Sequence, residues 1–146
     1  MKDLYNNIAE SMLLAPVSIS ATQSAVEVDL KDCNSAVFYW LTGIEAGTLS
    51  GSLGWSLTMT HADDDGTGIA GSYANVTAAD VQGVTPSSGG VVTIDDAAED
   101  VTLYKIGYVG GKRFVKLLIT EIGSTTGMPQ ALLVLKGHLR DAPIVV

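Results

Sequence analysis

One cysteine, Cys33, occurs in 146 residues, which excludes an internal disulfide and a cysteine-built metal site. Two histidines, His61 and His138, lie far apart and in neither an HxxxH nor an HExxH spacing. Zinc and acid–base chemistry therefore have no local signature. No serine sits in a Gly-x-Ser-x-Gly elbow, and Gly107-Tyr108-Val109-Gly110-Gly111-Lys112 lacks the spacing and following helix of a phosphate loop. Long apolar runs are missing as well. The stretch Ala36-Val37-Phe38-Tyr39-Trp40-Leu41 is far too short to cross a bilayer and suits a buried strand. These absences predict a protein that is not an enzyme, binds no cofactor or metal, and does not enter a membrane.

Positive charge is scarce and unevenly placed. The net charge is −8, which argues against direct nucleic-acid binding, since that rests on neutralising phosphates. Residues 1–102 carry two bases against fourteen acids, whereas residues 103–146 carry six bases against two acids. Such asymmetry suits charge-steered self-association or docking on a charged surface. The start Met1-Lys2-Asp3-Leu4-Tyr5-Asn6-Asn7 has acids and polar residues where a signal peptide needs a basic start and an apolar centre, so synthesis in a cytoplasm is expected.

What is abundant is apolar: 47% of residues, against 16% charged. A chain of this length can bury a real core as one domain, and the excess must be hidden there or against other chains. Leu4, Ile8 and Met12 are spaced by four, which predicts a short helix or docking arm over 1–16, stopped by Pro16. From residue 17 the period changes to two. Val17–Ser20, Ala25–Leu30, Ala36–Thr42, Ser52–Thr60, Val91–Ile94, Leu103–Val109, Phe114–Thr120 and Pro129–His138 read as strands, with Leu53, Trp55, Leu57 and Met59 facing inward and the last strand apolar enough to be central or covered on both faces. Residues 73–84 are ambiguous between a helical turn and an irregular strand. The expectation is an all-β fold, an antiparallel β-sandwich over 17–138 that is jelly-roll-like, with an immunoglobulin-like sandwich as the alternative and 139–146 as a tail.

Around Gly110-Gly111 the chain is expected to fold back as a tight hairpin, the glycines supplying positive φ. Tyr104, Tyr108, Lys112 and Arg113 on that hairpin, with Lys136 and Arg140 beyond it, form the candidate interface, because Tyr and Arg are enriched at binding hot spots. Its bases are expected to meet acidic loops of a neighbouring chain. Asp63-Asp64-Asp65-Gly66 invites a calcium reading, but the EF-hand register fails, and a solvated turn is expected. Trp40, Trp55 and Tyr73 leave open a sugar-binding alternative, since exposed aromatics stack on sugar rings.

Three segments resemble a known family. They are Met1-Lys2-Asp3-Leu4-Tyr5-Asn6, the run from Tyr104 to Lys116, and Val134-Leu135-Lys136-Gly137-His138-Leu139-Arg140-Asp141-Ala142-Pro143-Ile144. Together they resemble small head structural proteins, capsid decoration or cement proteins, of tailed bacteriophages and prophages. The ending departs from that pattern, in which proline and histidine are usual at the positions of Leu139 and Asp141. The resemblance implies a virion component on the capsid exterior, bound to the major capsid protein, self-associating with a trimer favoured, and made in the host bacterial cytoplasm. A receptor- or carbohydrate-binding module of a spike or tail, or a head–tail component, is the alternative.

Overall fold

The computed structural model describes residues 4–140. Its strands are β1 (Ile8–Ile19), β2 (Val26–Asp29), β3 (Cys33–Thr42), β4 (Gly54–Ala62), β5 (Ala74–Asn75), β6 (Val81–Gln82), β7 (Gly90–Ile94), β8 (Leu103–Tyr108), β9 (Phe114–Ile122) and β10 (Met128–Leu139). The first sheet has the order β1-β10-β3-β8-β6; the second has β2-β9-β4-β5, with β7 also paired to β4. All pairings are antiparallel. The chain is an antiparallel β-sandwich.

The pairing is nested. β1 pairs with β10, β2 with β9, β3 with β8 and β4 with β7, as if one long hairpin had been wrapped around a barrel axis. Successive strands β1 and β2 fall in different sheets. That is the jelly-roll connectivity; an immunoglobulin sandwich would set its first two strands in one sheet. Strict alternation along β3, β4 and β9 sends Phe38, Trp40, Trp55, Leu57, Met59, Val115, Leu117 and Ile119 into the space between the sheets. The two tryptophans are fully buried, and each indole N–H is satisfied: Trp40 Nε1 donates to Gln130 Oε1 at 2.8 Å, Trp55 Nε1 to Glu45 Oε2 at 3.0 Å.

The N-terminal expectation is corrected. A single 3-10 turn at Tyr5–Asn7 precedes β1, and from Ile8 the chain is extended rather than helical. A spacing of four is even, so it keeps residues on one face of a strand as well as of a helix: Ile8 and Met12 stand opposite Gly137 and Leu133 of β10. Register shifts between Met12 and Leu14 and between Leu14 and Val17 break the alternation that would have revealed the strand. Pro16 falls at the second shift, on an edge strand where a missing N–H leaves no ladder donor unmade. Lys2 and Asp3 at one end, and 141–146 of the expected tail, lie outside the described residues; Leu139 still belongs to β10.

The hairpin is corrected too. β8 lies in the first sheet and β9 in the second, so the Gly110-Gly111 connection crosses between sheets, and neither glycine takes a positive φ. Gly110 is required by proximity instead: a Cβ there would come within 2.7 Å of the Tyr108 hydroxyl oxygen. Residues 73–84 combine both expected alternatives. Two-residue strands β5 and β6 flank a turn in which Asp80 Oδ2 accepts the Thr77 N–H at 2.8 Å and its hydroxyl at 2.7 Å. Among the described residues, no helix is long and apolar enough to cross a membrane.

Candidate functional site: an ion-paired end and an apolar sheet face

The six candidate interface residues divide into groups with different roles. Tyr108 is 4% exposed, its hydroxyl 3.0 Å from His61 Nδ1 and accepting the Lys112 backbone N–H at 3.2 Å. Burial pushes its phenol up to about 12. Tyr104 is half-buried, tilted against Trp40 with ring centroids 5.7 Å apart, and its hydroxyl donates to the Glu99 carbonyl. Lys136 Nζ donates to the Asp29 carbonyl at 2.8 Å. Arg140 lines a groove of about 500 Å³ at one end of the sandwich, together with Lys31, Cys33, Ser35, Lys112 and Arg113. The two tyrosines are therefore packing residues.

Lys112 and Arg113 meet acids of their own chain, Asp63 for the lysine and Asp29 and Asp64 for the arginine. Arg113 Nε and Nη2 bond Asp29 Oδ1 and Oδ2 at 2.9 and 2.7 Å, and its Nη1 reaches Asp64. Lys112 Nζ pairs with Asp63. The register of the second sheet brings this about: Asp29 stands opposite Phe114, and Phe114 opposite Ala62, which leads directly into the acidic loop. The guanidinium also covers the Phe114 ring at 4.7 Å. The Arg113 hydrogen bond holds the Asp29 carboxyl below its ordinary value. The carboxylates of the Asp-rich loop are otherwise occupied by turn bonds. Asp64 Oδ1 accepts the N–H groups of Gly66 and Gly68 at 2.7 and 2.9 Å, which lower its pKa, and Asp65 Oδ1 accepts from Thr67. Among the described residues, no group of three or more His, Cys, Asp or Glu is placed to hold a metal.

The aromatic alternative loses its two tryptophans to the core. Tyr73 remains outside, but Lys116 Nζ lies 3.6 Å over its ring and its hydroxyl donates to Glu27.

The feature that periodicity only hinted at is the outer face of the first sheet. Opposed residues share a face, so registers trace it directly. One row runs Met12, Leu133, Tyr39, Lys105; the next runs Glu10, Leu135, Val37, Gly107; a third runs Ala131, Leu41, Leu103. Met12 and Leu103 are 66% and 57% exposed. The central residues of these rows are only half-covered, by their strand neighbours. β3 and β10 are thus apolar on both faces, the composition of strands that are covered on both sides. The outer face of the second sheet is ordinary by contrast: Ser56, Thr58, Thr60, Thr120, Glu27 and Lys116 occupy it, with Leu118. The near-continuous apolar run of β10 was the sequence signal for this surface.

No family model matches the chain, and no curated protein matches it. Among solved structures it is similar in architecture to a chain of the disulfide-linked pili of Bacillus endospore appendages, with 10% identity and a TM-score of 0.39 over 95% of this chain and 97% of that one. It is also similar to a chain of infectious bursal disease virus, Gx strain, with 11% identity and a TM-score of 0.32 over 90% of this chain and 32% of that one.

Proposed function

We propose that this chain is a structural protein of a tailed-phage or prophage virion, a decoration or cement protein that self-associates on the capsid exterior and stabilises the shell. The observation that carries this reading is the apolar outer face of the first sheet. An exposed apolar face on strands whose other side is already buried in the core suits a contact surface. The resemblance of the segments at 1–6, 104–116 and 134–144 to head structural proteins supplies the setting, and the jelly roll suits passive scaffolding. The major capsid protein is the partner in that setting.

The test uses capsids assembled without the protein. Added back, it is expected to co-sediment with them and raise the temperature at which they release their contents. Cryo-electron microscopy would then locate it on the shell lattice. Failure to bind capsids, or density on the tail alone, would overturn the placement.

A further inference from the structure

We infer that the outer face of the first sheet is an isologous interface on which a second copy of this chain packs, sheet against sheet, about a twofold axis parallel to the strands. The inference rests on the self-association in the reading above, and is independent of where in the virion the pair sits.

The three rows carry one acid and one base, on the first and fourth strands of the five-stranded sheet. Glu10 stands on β1 opposite Leu135, and Lys105 stands on β8 opposite Tyr39. Apolar residues of β10 and β3 separate them. A twofold axis lying in the interface between β10 and β3 keeps each row and reverses the column order. It sets β8 of one chain over β1 of the other, so that Lys105 lands over Met12, one row from Glu10. With rows about 6.8 Å apart, a lysine stem spans that offset. Both Glu10–Lys105 pairs form at once, and the face is complementary to itself.

A ring built head-to-tail would need a second, different surface to receive this one. The other sheet offers hydroxyls and charges. Four strands by three rows project roughly 400 Å² per chain, taking ordinary strand spacings. Doubled over two chains, that is about 800 Å², below the range of stable complexes and within that of weak, transient ones, so the pair is expected to dissociate on dilution.

The experiment is sedimentation equilibrium of the full chain over a concentration series, with Leu133→Lys, Glu10→Lys, Lys105→Glu and the double swap Glu10→Lys/Lys105→Glu. Wild type is expected to be a dimer that dissociates on dilution. Leu133→Lys is expected to be monomeric, and each single reversal about tenfold weaker, since both copies of the pair become like-charged. The double swap restores wild-type association, a result that misfolding cannot mimic. A wild type that stays monomeric, an oligomer indifferent to these changes, or a swap that fails to rescue folded single variants would overturn the inference. A dimer that ignores capsids would leave it standing and remove the decoration reading; a monomer that binds capsids would do the reverse.

Discussion

Arg113 holds Asp29 through two parallel donors, at 2.9 and 2.7 Å, and gives its remaining nitrogen to Asp64. Lys112 and Arg113 therefore join Asp29, Asp63 and Asp64 in one ion-paired cluster that ties β2, the β4–β5 loop and β9 together. Arg113→Met keeps a long stem and removes the charge. It is expected to lower the melting temperature near neutral pH. In the folded chain Arg113 holds the Asp29 carboxyl below its ordinary value of 3.8, and it adds to the lowering that the Gly68 and Gly66 amides impose on Asp64. Their stabilisation is present above that unfolded value and is lost as pH falls through the folded one. The gap between wild type and variant should therefore close in strong acid. Thermal unfolding by circular dichroism at the two pH values checks this; equal melting near neutrality would refute it.

Glu45 is 4% exposed and receives four donors: Trp55 Nε1 at 3.0 Å, the backbone N–H groups of Thr126 and Gly127 at 2.8 Å each, and that of Gly47 at 3.4 Å. Burial opposes its ionisation, but the Trp55 indole and the three amides outweigh it and hold the carboxyl below 4.5. Glu45→Gln turns an amide nitrogen toward some of these donors and is expected to cost about 2 kcal/mol in urea unfolding. The wild-type advantage is complete above the unfolded pKa and disappears as pH drops through the folded one. A variant as stable as wild type near neutrality would show that the carboxylate is not needed there.

Gly110→Ala and Gly111→Ala should behave differently. A Cβ on Gly110 meets the Tyr108 hydroxyl oxygen at 2.7 Å and its Cζ at 2.8 Å, while one on Gly111 meets nothing within 4 Å. Displacing the phenol also disturbs its 3.0 Å contact with His61. We expect a loss of about 2 kcal/mol at Gly110, the usual scale for overpacking. At Gly111 the change should stay within about 0.5 kcal/mol. A tight hairpin would instead penalise both, so equal losses in chemical denaturation would contradict the crossing geometry.

Cys33 is buried, with Sγ 3.5 Å from the Leu30 carbonyl, and burial pushes its thiol above the ordinary value of 9.0. Labelling by a disulfide reagent should accordingly be slow in the folded chain and track denaturant-induced opening. Immediate labelling in buffer would place the thiol at the surface.

The sandwich was legible because the period-two segments are long and their turns are rich in Gly, Asp, Ser and Pro. Trp55, Leu57 and Met59 could be assigned inward from alternation alone. β1 was not legible, because its bulges shift Leu13 and Leu14 together onto the core and leave a spacing that a helix shares. The Gly110-Gly111 pair misled for another reason: glycine serves close approach as readily as positive φ, and only the fold distinguishes these uses. The bases at Lys112 and Arg113 suggested an intermolecular partner because their acids lie some fifty and eighty residues away, at separations of 49 and 84. The apolar outer face was half-legible. The unbroken run in β10 pointed to cover on both sides, but the rows that define the surface combine four strands whose register no local pattern specifies.

Nested pairing also has a consequence for how the chain comes to be folded. Ile8 finds Gly137, and Ile19 finds Met128, so the first strand has no permanent partner until the last has been made. Closing contacts between opposite ends of the sequence is slow relative to local structure. On a ribosome, β1 must wait as an unpaired, partly apolar segment until β10 has been made. Self-association through the proposed face is thereby postponed until β10 is in place, because that face combines β1 with β10.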